Sequence, residues 1–256
     1  MSFLDRFKPQ PRWKHADAAV RAAAVNDIPD DSAHRGTIEE LASDEDVRVR
    51  AAAMERVSDA GLLARLARTE SDADLRRRIT ERLVAIAVAP ADSDADAARA
   101  LDGIDDPRQF STIAKSSPHG IIRATALGHV HDVKALGSVA RHAADPQTAL
   151  EAVARISDPA ELLNVALKTE HKDAGVAALD RSIDPKAADA RDLLDNLVSR
   201  AKSKAVVKRA RTLLQELDDA EAARKAAFES WQQSLARILA TVENIAAAPF
   251  MAKTPS

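Results

Sequence analysis

Apolar and polar positions recur along the chain with a fixed step of 26 residues. Each repeat opens on an aspartate, and in the three complete repeats apolar residues follow four, seven and eight positions later. The opening aspartates are Asp106, Asp132, Asp158 and Asp184. These offsets place the apolar side chains on one face of a helix, and internal periods of about 20 to 50 residues are typical of stacked repeats. The pattern therefore predicts an array of short units, each made of two antiparallel helices.

The residues after three of these aspartates carry a helix start signal. Pro159 follows Asp158 at the first helical position, and Glu161 occupies the third. An aspartate at the N-cap accepts hydrogen bonds from the first free N–H groups, and a proline at the next position loses no hydrogen bond. Asp106–Pro107 and Asp184–Pro185 repeat the signal. We therefore expect a helix to begin at each of these aspartates.

The same unit extends upstream in looser form. Residues 15–28 fit one helix, residues 36–57 fit a two-helix unit, and Asp59 opens another. The interval from Asp59 to Asp106 is 47 residues, so the segment 90–104 is predicted to hold a degenerate unit with a single helix. The apolar positions after Asp59 are Leu63, Leu66, Ala67, Leu75, Ile79 and Leu83.

The C-terminal part follows a different pattern. Residues 189–201 and 204–217 are predicted to form a last helical pair, and residues 218–248 a long amphipathic helix. Apolar residues on that helix follow alternating spacings of three and four, a heptad seam that is typical of helix pairing. The seam packs either on the last repeat or on another chain. Its strongest candidates for partner binding are Phe228, Trp231, Leu235 and Ile238, and it continues through Val242 and Ile245.

Composition favours an all-α fold. Aromatic residues make up only 3% of the chain and Tyr is absent, whereas β-rich folds rely on aromatic and β-branched residues. The formal net charge of −3 provides no general attraction to nucleic acid. The absence of cysteine excludes disulfides and thiolate metal sites. No secretory signal or membrane-spanning run is recognisable, so we expect a cytoplasmic protein.

Several segments resemble HEAT repeats, most closely the short variety found in many bacterial proteins and in phycobilisome lyases. They read DAAVRAAA at 17–24, EDVRVRAAA at 45–53 and GIIRATAL at 120–127. In that family an apolar–arginine pair lies on the second helix, and the arginine commonly links neighbouring repeats through an acidic partner. The matching pairs are Val20–Arg21, Val49–Arg50, Leu75–Arg76 and Ile122–Arg123.

The resemblance covers about residues 15–217 and implies a right-handed α-solenoid. It departs from the family pattern at 148–149 and 174–175, where Thr-Ala and Ala-Gly replace the pair. The opening of the chain also resembles the start of large bacterial proteins in which HEAT-like repeats precede coiled-coil domains. The expected organisation is an N-terminal extension, a repeat array with a break, the long helix and a disordered tail. These segments are 1–14, 15–217 with its break near 90–104, 218–248 and 249–256.

Two basic clusters are candidate contacts for phosphate. For the first cluster the simpler interpretation is the arginine ladder that the HEAT resemblance implies. For the second cluster it is a solvated helix face, because acidic residues follow this cluster and no aromatic residue interleaves it. The first cluster consists of Arg76, Arg77 and Arg78 together with Arg82, and the second is represented by Lys204, Lys208 and Arg211.

Motifs for metal binding or catalysis are not recognisable. Five of the seven histidines lie between His119 and His171, but none has metal-ligand helical spacing. Asp92, Asp94 and Asp96 resemble the start of a calcium loop, although its glycine and its final glutamate are missing. We therefore assign no catalytic, cofactor-binding or metal-binding residue and expect no cofactor.

The sequence is interpreted as a non-enzymatic scaffold for protein–protein interactions. Its partner is an unidentified protein, and homo-oligomerisation through the C-terminal helix is one form of this hypothesis. The alternative is a nucleic-acid-binding HEAT-like protein, similar to bacterial alkyl-base glycosylases or associated with RNA or ribosomes. A lyase acting on a bound chromophore is a third hypothesis, based on the repeat resemblance alone.

Overall fold

The computed structural model describes residues 10–90 and 93–247. Within these ranges the protein is helical and contains no strand, which confirms the all-α prediction. The predicted tail at 249–256 and most of the extension at 1–14 lie outside the described residues, as does Asp92. The described helices are α1 (Ala18–Ala24), α2 (Arg35–Leu41), α3 (Val47–Arg56), α4 (Ala60–Thr69), α5 (Ala73–Val88), α6 (Asp94–Leu101), α7 (Pro107–Ser116), α8 (Gly120–Gly128), α9 (Val133–His142), α10 (Pro146–Arg155), α11 (Pro159–Lys168), α12 (Lys172–Ser182), α13 (Ala190–Arg200) and α14 (Lys204–Ala247).

Aspartate caps start most of these helices. Asp106 accepts the N–H of Arg108, Asp132 that of Ala135, and Asp158 that of Ala160. The predicted starts at these three positions are therefore confirmed. Further aspartate side chains cap helices in the same way, at Asp17, Asp46, Asp59, Asp72 and Asp145.

The predicted helix start at Asp184 is wrong. Asp184 accepts the N–H of Lys186 at 2.9 Å, but residues 185–189 form turns, and α13 begins only at Ala190. The capping hydrogen bond therefore closes a local turn here instead of starting a helix. An Asp–Pro pair satisfies the same N–H group in either structure, so it cannot by itself distinguish them.

The chain divides into two compact parts, the first ending at Val165 and the second beginning at Ala166. These parts are larger than the two-helix units of the sequence pattern. In the first part many helices pack in adjacent pairs, as in α4 with α5, α7 with α8 and α9 with α10. Helices also contact the next but one along the chain. These pairs are α1 with α3, α3 with α5, α5 with α7, α7 with α9, α4 with α6, α6 with α8 and α8 with α10. In the second part α14 packs on both α12 and α13.

The core consists of the apolar positions that recur at each step. Ile113, Val139 and Val165 are fully buried, and so are the alanines that follow them. Small side chains at these positions let neighbouring helices approach closely. The predicted stripe of α4 and α5 is also buried, from Leu63 through Leu83.

The predicted break holds a single helix, α6, between the hairpins α4–α5 and α7–α8. Gly103 follows it in a tight turn and is buried. A Cβ atom added at Gly103 would lie 2.6 Å from the Cα of Ala64 and 2.7 Å from Cδ1 of Leu83. Because the first of these atoms is backbone of α4, a small side-chain movement could not relieve the overlap. Glycine thus allows the turn after α6 to close against α4.

We expect Gly103→Ala to lower the free energy of unfolding by about 1 to 3 kcal/mol, the usual cost of overpacking a core. The matched control is Gly36→Ala in α2, where an added Cβ would meet no atom within 4 Å. That change should stabilise by up to about 1 kcal/mol, since alanine is the better helix former. Urea unfolding followed by circular dichroism measures both, and equal effects would contradict the close approach.

Candidate interaction surfaces

Buried arginine–carboxylate pairs connect successive units near the N-terminus. The Nε and Nη2 atoms of Arg21 on α1 donate to the two carboxylate oxygens of Asp44, each at 2.8 Å. The remaining nitrogen, Nη1, donates to the carbonyls of His15 and Ala16 in the turn before α1. The guanidinium therefore joins the turn before its own helix to the turn before α3.

Arg50 on α3 repeats this arrangement one unit further. It forms a two-pronged pair with Glu70 at 2.8 and 2.7 Å and donates Nη1 to the carbonyls of Asp44 and Glu45. Its side chain is 15% exposed and that of Glu70 only 5%. Glu70 also accepts the N–H of Asp72, and its own carbonyl accepts from Arg76. The expected linking role of Arg21 and Arg50 is confirmed.

The linkage changes beyond the break. Arg123 on α8 donates to the hydroxyl of Thr148 at 3.1 Å and lies 3.5 Å from the carboxylate of Asp145. It still donates Nη1 to the carbonyls of Ser117 and Pro118 in its own turn. A carboxylate pair is found here between the first helices of two successive two-helix units, where Arg141 of α9 pairs with Glu161 of α11 at 2.5 Å. Thr148, which departs from the family pattern, therefore serves as an acceptor in this network.

These contacts set the protonation of the carboxylates. Hydrogen bonds from Arg50 lower the pKa of Glu70 below its usual value, although burial acts in the opposite direction. Burial by itself would raise the pKa of Asp44, but the hydrogen bonds from Arg21 and from the Asp46 N–H lower it. Both groups are therefore held in the charged form.

A second set of arginines makes carbonyl contacts that were not predicted from the sequence. Arg56 donates to the carbonyls of Val25 and Ile28, and Arg82 donates to those of Met54 and Val57, at 2.5 to 2.7 Å. Each guanidinium covers the carbonyl end of the preceding unit, where a positive charge is favourable. Arg155 contacts Leu127 and Val130 in the same way. The signal was present, because Arg56 and Arg82 are 26 residues apart.

The first basic cluster is largely neutralised. Arg76 donates to the Glu70 carbonyl, Arg77 pairs with Asp74 and Glu81, and Arg78 pairs with Glu55. The structure therefore places these side chains among acidic and carbonyl acceptors in the first part of the chain. They do not form a continuous cationic face.

The second cluster differs in this respect. Lys204, Lys208 and Arg211 lie on one face of the first turns of α14 and line a shallow groove of about 650 Å³. Among the residues that the structure describes, no carboxylate lies within ion-pair distance of these three cations. Glu216 lines the same groove and reduces its positive charge.

The histidines have local structural roles. The ring of His119, at the start of α8, contacts Asp94 at 2.5 Å and the carbonyl of Ala89 at 3.1 Å, and the ring of His129 stacks on Phe110. Asp96, the other described member of the calcium-like segment, accepts from Arg99 and from Ser93. Across residues 10–90 and 93–247, no three histidine or acidic side chains are grouped closely enough to hold a metal ion.

The heptad seam lies on an exposed part of α14. This helix runs without interruption from Lys204 to Ala247, so the predicted helices at 204–217 and 218–248 are one element. Its first turns pack on α12 and α13, and Arg191 of α13 holds Asp218 at 2.6 Å. From Asp218 to Ala246 every residue is exposed except Ser234, which is half-buried.

The apolar side chains of this exposed segment form one face, which we term the α14 stripe. Its members are between 41% and 70% exposed, and the rings of Phe228 and Trp231 stack at 5.9 Å. Leu239 widens the face beyond the predicted seam. The α14 stripe consists of Phe228, Trp231, Leu235, Ile238, Leu239, Val242 and Ile245.

Comparisons with known protein families, with curated proteins and with solved structures find no match for this chain. Within the described ranges, no helix has the length and hydropathy that crossing a bilayer requires.

Glu70→Gln should destabilise the protein by about 3 kcal/mol, because it leaves the buried Arg50 guanidinium without its counter-charge. The matched control is Glu55→Gln. The Glu55 side chain is 54% exposed and pairs with Arg78, which also lies at the surface. Exposed pairs contribute at most about 1 kcal/mol. Urea unfolding at neutral pH compares the two, and similar losses would show that the Glu70 pair is not a structural link.

Acid should weaken the wild-type protein more than Glu70→Gln. The pKa values of Glu70 and Asp44 are lower in the folded chain than in the unfolded chain. Their contribution to stability is therefore complete above the unfolded pKa, near pH 4, and is lost as the pH falls through the folded pKa. Urea midpoints measured from about pH 7 to pH 3 test this, and parallel curves for the two proteins would contradict it.

Proposed function

We propose that this protein is a non-catalytic scaffold of HEAT-like repeats that binds a protein partner through the α14 stripe. The observation that carries the proposal is the exposure of the stripe itself. Elsewhere in the described chain the large apolar side chains are mostly buried, and only Val47 and Ile121 are also exposed. A contiguous apolar face of this size is typical of a protein–protein contact.

The arginine links support the repeat part of the proposal. Arg21, Arg50 and Arg123 take the positions that the HEAT resemblance assigns to them, and helices contact both the next and the next but one. Units joined in this way build a one-dimensional stack in which each contacts its neighbours. We propose that the stack is a right-handed α-solenoid.

A nucleic-acid-binding function is the second candidate, favoured by one observation. Lys204, Lys208 and Arg211 have no acidic partner among the described residues and line one groove. Three phosphate contacts give only weak, salt-sensitive binding. No aromatic side chain lines the groove for base stacking, and the first cluster is paired with acids. The protein scaffold is therefore the better-supported function.

The partner-binding function is tested by comparing two variants of the α14 helix. Leu235→Glu places a charge in the α14 stripe, whereas Ala240→Glu places the same charge on the opposite face of the helix. Tagged wild-type protein and both variants are incubated with an extract of the source organism, supplemented with untagged chain, and the retained proteins are identified. We expect Leu235→Glu to lose at least one protein that wild type and Ala240→Glu retain.

The result that would overturn the proposal is retention of the same proteins, in the same amounts, by wild type and Leu235→Glu. Circular dichroism serves as the folding control, because Leu235 is exposed and lies outside the buried core. A loss of helicity in Leu235→Glu alone would require the test to be repeated with Ile238→Glu.

Nucleic-acid binding is expected to be weak and to depend on the second cluster. At about 50 mM salt, labelled single-stranded and duplex oligonucleotides should show at most micromolar to millimolar affinity, lost by about 200 mM. Replacing Lys204, Lys208 and Arg211 by glutamine should abolish this residual binding, while Arg77→Gln should not change it. Fluorescence anisotropy provides the measurement, and nanomolar binding at the higher salt would favour the second candidate.

A further inference from the structure

We propose that the partner of the α14 stripe is a second copy of this chain, bound with its α14 helix antiparallel. The inference rests on the proposed function, since it names the occupant of the same helix face. It is carried by three features of the stripe: its area, the order of side-chain sizes along it, and the placement of charges around it.

The exposed area fits a stable dimer. At roughly half exposure, the seven side chains present about 700 to 800 Å² of apolar surface per copy, and two copies would bury about 1,500 Å². This is the size of a standard specific interface and exceeds the apolar patches of about 300 to 600 Å² found on typical monomers. A second α14 helix therefore suffices to cover the stripe.

The side-chain sizes are complementary in the antiparallel direction. The large residues, Phe228 and Trp231, come first along the helix, and the smaller Val242 and Ile245 come last. An antiparallel copy sets Phe228 against Ile245, Trp231 against Val242 and Leu235 against Ile238. Each layer then combines one large and one smaller side chain, or two of similar size, so the distance between the helices stays uniform.

A parallel pair would pack less well. It would place Phe228 on its equivalent and Trp231 on its equivalent, which forces the helices apart at one end of the stripe. It would also extend the seam to Glu221 and Arg224, which occupy its next two positions, and would set like charges against each other. In the antiparallel pair both residues lie beyond the last layer, and Glu221 remains free to contact Arg191 of its own chain at 3.6 Å.

The positions beside the seam favour identical copies. In coiled coils, charged residues at these flanking positions usually select the partner. Here the flanking residues along the stripe are uncharged. They are Ala227, Gln232, Ser234, Leu239, Thr241 and Ala246. Two copies therefore meet without like-charge repulsion, and nothing at these positions selects a charged helix of another protein.

The first experiment measures the mass of the intact chain. Sedimentation velocity and light scattering should show a dimer at tens of micromolar. Leu235→Glu places two charges in the central layer and should raise the dissociation constant at least about 100-fold. Ala240→Glu should leave it within about threefold. A chain that stays monomeric at this concentration would overturn the inference, and so would a dimer that Leu235→Glu leaves intact.

The second experiment determines the direction of the helices. The chain has no cysteine, so single cysteines report without background. Leu235→Cys lies close to the midpoint of the antiparallel pair, and its equivalents should form a disulfide on oxidation. Ile245→Cys should not, because 17 residues separate it from the level of its equivalent, about 26 Å along the helix. Disulfide formation by Ile245→Cys at the rate of Leu235→Cys would show a parallel pair and overturn the proposal.

Failure of this inference can be told apart from failure of the proposed function. If the chain is monomeric but Leu235→Glu no longer retains some other protein from the extract, self-pairing is overturned and the scaffold function stands. A monomeric chain that loses no protein on this substitution overturns both.

Discussion

The interaction on which the first part of the structure depends is the buried pairing of an arginine with the carboxylate of the next unit. A guanidinium that is largely removed from water needs a counter-charge and an acceptor for each N–H group. Arg50 finds these in Glu70 and in two carbonyls of the preceding turn. Since the acceptors belong to two different units, the requirement fixes the distance between them. The same arrangement at Arg21 makes the spacing regular.

The pairing also accounts for the alanine-rich core. With the turns held at a set distance, the helices between them must be equally close, and Ala53 in α3 has no exposed surface. Arg56 and Arg82 add a second connection by covering the carbonyl end of the preceding unit. A unit is thus joined to its neighbour at both ends.

Where the pairing changes, so does the regularity of the chain. Arg76 occupies the same helix position as Arg50, but only the single helix α6 follows α5 before the next hairpin. Its guanidinium donates to the carbonyl of Glu70 in the turn before its own helix. The contact at this step is instead made by small residues, with Gly103 lying against Ala64. Beyond it, Arg123 meets a hydroxyl in place of a two-pronged carboxylate.

The sequence predicted these features unevenly, for physical reasons. Helix starts at Asp106, Asp132 and Asp158 were predictable because the aspartate cap acts locally, supported by a proline after Asp106 and Asp158. Asp184 misled, since the same local hydrogen bond also closes a turn. Glu70 was missed because its role arises only when Arg50 of another unit reaches it. Exposure of the seam could not be predicted either, since a heptad pattern is equally consistent with packing in the same chain.

The α14 stripe stands apart from this scheme of satisfied contacts. The buried polar side chains of the described residues all have hydrogen-bond partners, and the apolar positions of the units are covered. A chain that satisfies its buried groups so fully has no general excess of apolar surface, so the exposure of Trp231 and Ile238 is not explained by poor packing. The helix does not need the stripe in order to fold, because its alanine-rich faces favour helix by themselves. Large apolar residues at regular seam positions therefore contribute nothing to the isolated helix and much to an association, in which their burial is the main favourable term.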